Sequence, residues 1–165
     1  MDRAAAPGIL ILSLAQTTAR VEAVARHLSA AQLTASPEGW SPNEILWHLR
    51  AVADVYGEQI SRIVNEDSPR WRHVSPRARM KKARYDRLPF DESLAAFTRQ
   101  RTDLLALLGS IPPEAWQRVA LVRVGERERR MTLQERVWGM ANHEEIHRAQ
   151  MEKVAVALSQ PATRS

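Results

Sequence analysis

The sequence predicts an all-α protein, a four-helix bundle with a short extended or hairpin segment before its last helix. Three observations carry this. Four long stretches repeat their apolar residues at intervals of three, four and seven, the spacing that lines one face of a helix. Two of those stretches open on capping boxes, Ser41-Pro42-Asn43-Glu44 and Thr132-Leu133-Gln134-Glu135. In such a box the first and fourth residues satisfy each other's backbone N–H groups, which marks a helix start. Proline and glycine stand between the stretches and break them apart. One domain over residues 1–165 is expected, long enough to enclose a core.

The first helix is expected over residues 9–31, on the stripe Leu10, Leu14, Val21, Val24 and Leu28. His27 lies at the edge of that stripe and reads as a boundary residue. Pro37 and Gly39 break the chain before the second helix. That helix runs from the Ser41 box to about residue 65, on Ile45, Leu49, Val52, Tyr56, Ile60 and Ile63. His48 falls on the same stripe. Residues 66–89 form a long connection carrying eight bases from Arg70 to Arg87 against the single acid Asp86. Its plain reading is a solvated loop with one helical turn around residues 77–85; its functional reading is a basic lid that attracts an anionic substrate. His73 in this loop is expected to be exposed.

The third helix is expected from Asp91, as N-cap, to Leu108, with Arg101 interrupting its apolar stripe. Arg101 reads as a snorkelling residue rather than an anchor for a substrate carboxylate. Residues 119–131 alternate and carry β-branched side chains, then return through the charged run Arg127–Arg130, as a short hairpin or extended loop does. The last helix follows the Thr132 box to about Leu158, and residues 159–165 are expected to fray.

Charge and composition narrow the function. The formal charge is +5, but 19 acids are interspersed with the bases, which weighs against nucleic acid as a partner. There is no cysteine, hence no disulfide framework, no thiolate ligand and no cysteine nucleophile. The apolar run over residues 9–14 lacks the length of a signal segment, and no run is expected to reach a membrane span. These features suit a cytoplasmic protein.

The densest chemistry is Asn142-His143-Glu144-Glu145-Ile146-His147-Arg148-Ala149-Gln150. His143 and His147, four apart, share one helix face and can grip one metal ion. The string also fits H-E-x-x-H, the zincin protease pattern. A zincin takes its third ligand from well downstream, yet the one acid after His147 is Glu152, five residues on in the same helix. The third ligand must then come from upstream. A lone histidine on an apolar face is more often a core residue, but the unmet demand of the pair makes His48 the candidate.

Two segments resemble signatures of the DinB-like (DinB/YfiT) superfamily. Trp40-Ser41-Pro42-Asn43-Glu44-Ile45-Leu46-Trp47-His48-Leu49 is similar to its second-helix pattern W-S-x-x-E-hydrophobic-x-x-H-L, and His143-x-x-x-His147-x-x-Gln150 to its last-helix pattern. The resemblance implies a bundle of up-down-down-up topology, a divalent metal on His48, His143 and His147, and a homodimer. Some members transfer low-molecular-weight thiols, and one branch isomerises maleylpyruvate. Glu144 departs from the pattern, with a role beside the ligands or at the surface expected for it.

Three neutral histidines leave coordination positions open, as catalytic rather than structural sites do. The leading expectation is therefore an enzyme acting on a small molecule, of the thiol S-transferase type. With no cysteine in the chain, the thiol must be a cosubstrate. The alternatives are a metal-dependent hydrolase or isomerase, or a non-catalytic metal-binding stress protein. Nitrogen ligands suit zinc, nickel or iron alike.

Overall fold

The computed structural model describes residues 1–37 and 39–160. Its helices are α1 (Pro7–Ala25), α2 (Ala30–Thr34), α3 (Pro42–Asn65), α4 (Pro76–Lys82), α5 (Phe90–Gly109) and α6 (Leu133–Ser159). Its strands are β1 (Arg70–Arg72), β2 (Val119–Val124) and β3 (Arg127–Thr132). The long helices α1, α3, α5 and α6 pack together around Leu10, Leu14, Ile45, Leu49, Phe97, Leu108, Met140 and Met151, all essentially without solvent contact.

Both expected capping boxes form. Ser41 Oγ accepts from the Glu44 backbone N–H while Glu44 Oε2 accepts from the Ser41 N–H, and Thr132 and Glu135 repeat the arrangement. A third box explains where the sequence reading fails. Residues 9–31 are not one helix: α1 ends at Ala25, and Ser29 with Gln32 caps the new helix α2. A local serine cap outcompetes continuation of the helix because it satisfies donors that the break frees. Gln32 also donates to the Leu158 carbonyl at 2.7 Å, tying α2 to the end of α6. At the start of α5 the cap residue is Pro89, not Asp91. The expected frayed tail lies outside the described residues from 161 onward, whereas Ser159 closes α6.

The connection over residues 66–89 holds more structure than expected. β1 pairs in parallel with β2, Trp71 opposite Val122, and β2 pairs antiparallel with β3 through a turn in which Gly125 takes the left-handed φ of 59°. The expected hairpin is thus two strands of a three-stranded sheet. α4 packs on α3, where Arg79 reaches Glu58 at 2.7 Å.

Residue pairs fix how the long helices meet. Along α3 and α6, His48 faces His143, Tyr56 lies near His143, and Gln59 bonds Arg136, so the two run in opposite senses. On α3 and α5, Arg50 meets Ser93 and Asp54 meets Gln100, so these share a sense.

Two expectations change here. Arg101 is 3% and Glu144 0% exposed, and the two form an ion pair across α5 and α6 at 2.5 Å. Arg101 therefore does not snorkel, and Glu144 is not at the surface. Burial pushes the Glu144 carboxyl above its ordinary range, against the opposing pull of Arg101. The membrane expectation also needs revision: α1, with a mean hydropathy of 1.2, is long and apolar enough to cross a membrane by length and composition. In the fold it buries Leu10, Leu14, Thr17, Thr18 and Val21 in the bundle.

Candidate metal centre

Each half of the site is set by a capped helix. The Ser41 box fixes the start of α3 and so the height and direction of His48, two turns in. The Thr132 box does the same for α6, on which His143 and His147 stack one turn apart. Because α3 and α6 run in opposite senses, the three imidazoles converge. His48 Nε2 lies 2.8 Å from His143 Nε2. The ring centroids are 4.5 Å apart for His48 and His147, 4.8 Å for His143 and His147, and 5.1 Å for His48 and His143. One nitrogen from each ring falls within 4.8 Å of the others, close enough for the three to hold one metal ion.

The donor set suits that use. Burial first, then the neighbouring imidazoles and Arg77, pushes the His48 imidazolium down to about 3. Burial, His147 and Arg136 push His143 down to about 4, and burial lowers His147 as well. All three rings are thus neutral near pH 7, and each offers a lone pair. His147 Nδ1 donates to Gln150 Oε1 at 2.9 Å. That bond leaves Nε2 free to ligate and holds the ring in place, as outer partners of metal-binding histidines do. His48 Nδ1 is buried without a hydrogen-bond partner. Its ring packs against Trp40 in an edge-to-face arrangement, with the ring centroids 5.1 Å apart.

Two aromatic rings wall the cluster, and each carries a guanidinium. Trp40 stacks on His147, centroids 5.7 Å apart and planes 12° apart, and Arg77 of α4 lies 4.9 Å over its ring. Tyr56 lies 6.2 Å from His143, and Arg136 sits 3.7 Å over the tyrosine ring while donating to Gln59 Oε1 at 2.8 Å. The basic connection therefore places one residue, Arg77, beside the histidines, while its other bases stay at the surface or pair elsewhere. A metal ion here would meet uncharged ligands and two nearby cations, a setting that favours an anionic further ligand.

His48, His143 and His147 thus come together as the spacing suggested. His27 lies apart in a groove with Leu28, Glu152 and Val156, and His73 is exposed near the sheet. Tyr56, Arg77 and Arg136 were missed as neighbours of the site. The signal for Arg136 was its position seven residues before His143 on the same helix face; Arg77 offered none.

The fold and the site define a helical bundle whose core carries a three-imidazole cluster fit for a metal. The family model described as the DinB superfamily matches residues 13–151, and the chain belongs to that superfamily. No protein of curated function matches the chain in sequence. Among solved structures the chain is similar to YfiT from Bacillus subtilis, described as a probable metal-dependent hydrolase with an unusual four-helix bundle topology. The TM-score is 0.75 at 16% identity, over 94% of this chain and 89% of that one. It is also similar to the mycothiol-dependent maleylpyruvate isomerase, with a TM-score of 0.68 at 17% identity, over 89% of this chain. A mutant of that isomerase gives the same TM-score at 18% identity, over 96% of this chain. The chain spans 61% and 63% of those two isomerase chains.

Proposed function

We propose that the chain is a single-domain metalloenzyme in which His48, His143 and His147 hold one divalent ion, zinc, nickel or iron, and that it acts on a small molecule with a low-molecular-weight thiol as cosubstrate. The observation that carries this is the convergence of three neutral imidazoles, with their nitrogens within 4.8 Å, at a partly open point between α3 and α6. When bound, the ion supplies Lewis acidity, which lowers the pKa of a coordinated thiol or water. The chain's own part is to bind and orient. Gln150 fixes the His147 ring, Trp40 shields it from water, and Arg77 and Arg136 bias the site towards anions. The chain has no thiol of its own, so sulfur chemistry must use one brought in.

Likeness to the isomerase supports the thiol reading. A hydrolase using the same histidines is the second reading, favoured by the likeness to YfiT. The up-down-down-up helix order belongs to the proposal too, supported by the opposed senses of α3 and α6 and the shared sense of α3 and α5. So do a cytoplasmic setting, with a chain free of cysteine as its support, and a homodimer. Exposed Ile9 and Leu12 on α1 and Ile146 on α6 offer an apolar surface for the latter.

Calorimetry with mycothiol, bacillithiol, glutathione and coenzyme A, on metal-loaded and metal-free protein, tests the thiol step. The expected result is binding of one thiol only when metal is present, with metal-dependent conjugation to a chlorinated aromatic. Metal-dependent ester or amide hydrolysis with no thiol binding would transfer the conclusion to the hydrolase.

A further inference from the structure

A second feature lies apart from the three histidines, at the start of α6. A cavity of about 160 Å³ is lined by Arg3, Arg129, Arg130, Glu135, Arg136 and Gly139. Four guanidiniums face one carboxylate there, and Arg3 already pairs with that carboxylate at 2.6 Å. Arg129 and Arg130, on β3, have no ion-pair partner among the described residues.

Arg136 separates this cavity from an ordinary basic surface. It is 8% exposed, its guanidinium has no carboxylate partner, and its Nε is buried without any partner. It donates to Gln59 and lies against Tyr56, and both of these partners are uncharged. Arg129 is near enough to act on it as a like charge. A buried cation facing another cation is an arrangement that an anion between them relieves.

Gly139 fits the same account. Glycine inside a helix is a poor helix former compared with alanine. A Cβ at Gly139 would stand 2.9 Å from Arg136 Nη2, so the glycine makes room for the guanidinium at the cavity wall.

We propose that this cavity is an anion-binding site for a carboxylate or phosphate group, held by Arg129, Arg130 and Arg136. Fork-shaped guanidiniums suit both anions. None of the three histidines lines the cavity, and Arg136 is the one residue it shares with the surroundings of the metal centre.

The test is titration of chelator-treated protein with inorganic phosphate and, in parallel, with malonate, followed by calorimetry and amide NMR shifts. Saturable binding with shifts centred on Arg136 and Gly139 is expected, and the tighter of the two anions identifies the group. Arg129→Gln with Arg130→Gln, both exposed and so without effect on folding, should weaken binding by at least about tenfold. Gly139→Ala keeps every charge but displaces Arg136 Nη2, and should also weaken it. The exposed pair Arg72→Gln with Arg87→Gln should change it by less than about twofold, as general charge attraction alone would. Binding should persist in His48→Ala. The proposal is overturned by absent saturation, by equal weakening in the Arg72/Arg87 variant, or by loss of binding in His48→Ala, which would place the anion at the histidines.

Discussion

Arg101 Nη2 and Glu144 Oε1 lie 2.5 Å apart, and neither side chain has meaningful contact with solvent. The pair joins α5 to α6 one residue away from His143, so it resembles a catalytic carboxylate in sequence and a structural tie in space. Arg101 Nε and Nη1 and Glu144 Oε2 remain without partners. Removing one member leaves a buried charge uncompensated, which costs about 3–5 kcal/mol. Glu144→Gln and Arg101→Met should each destabilise on that scale in denaturant unfolding, while the double variant Arg101→Met with Glu144→Leu recovers most of the loss. Glu144→Gln should retain its metal. Lost metal with unchanged stability would instead make Glu144 part of the centre.

The imidazoles give a pH signature in metal-free protein. His48 at about 3 and His143 at about 4 titrate far below the ordinary 6.5, and His147 is also lowered. The unfolded chain therefore takes up protons first as pH falls, so acid favours unfolding. Melting temperature should fall from pH 6.5 towards pH 4 and stop responding to these groups below about 3. His48→Gln should show a shallower fall, and the difference between the two curves isolates the imidazole from the carboxylates. Identical slopes in both proteins would contradict the buried neutral histidine.

Gln150 holds the His147 ring by a hydrogen bond to its Nδ1. Gln150→Ala should weaken metal binding by about 10–100-fold, the usual effect of losing an outer partner. It should leave one site per chain at saturating metal. Competition with a fluorescent chelator reads the affinity, and an unchanged constant would show that packing alone orients His147.

Much of this was legible because the signals were local. Ser41 with Glu44 and Thr132 with Glu135 announced two helix starts within four residues each, and both formed. His48 was found because a pair of histidines required a third and His48 stood on a core stripe. What stayed hidden depends on residues far apart in sequence. β1 has only three residues and exists by pairing with β2. Arg101 reads as a snorkelling residue, and Glu144 as a neighbour of the ligands or a surface charge, until the fold sets them face to face. Arg77 sits in a basic run where nothing distinguishes it from its neighbours, and only the fold lays it on Trp40. The break after α1 had a local signal too: Ser29 and Gln32 form a third capping box directly after Leu28, the last residue of the apolar stripe.

The central claim is that His48, brought from α3, completes a metal centre with His143 and His147. Metal content per chain, measured by mass spectrometry on purified wild type and on five single alanine variants, tests it most directly. The wild type should hold one divalent ion. His48→Ala, His143→Ala and His147→Ala should hold essentially none, while His27→Ala and His73→Ala, which lie away from the cluster, keep the full amount. A full complement of metal in folded His48→Ala would contradict the account.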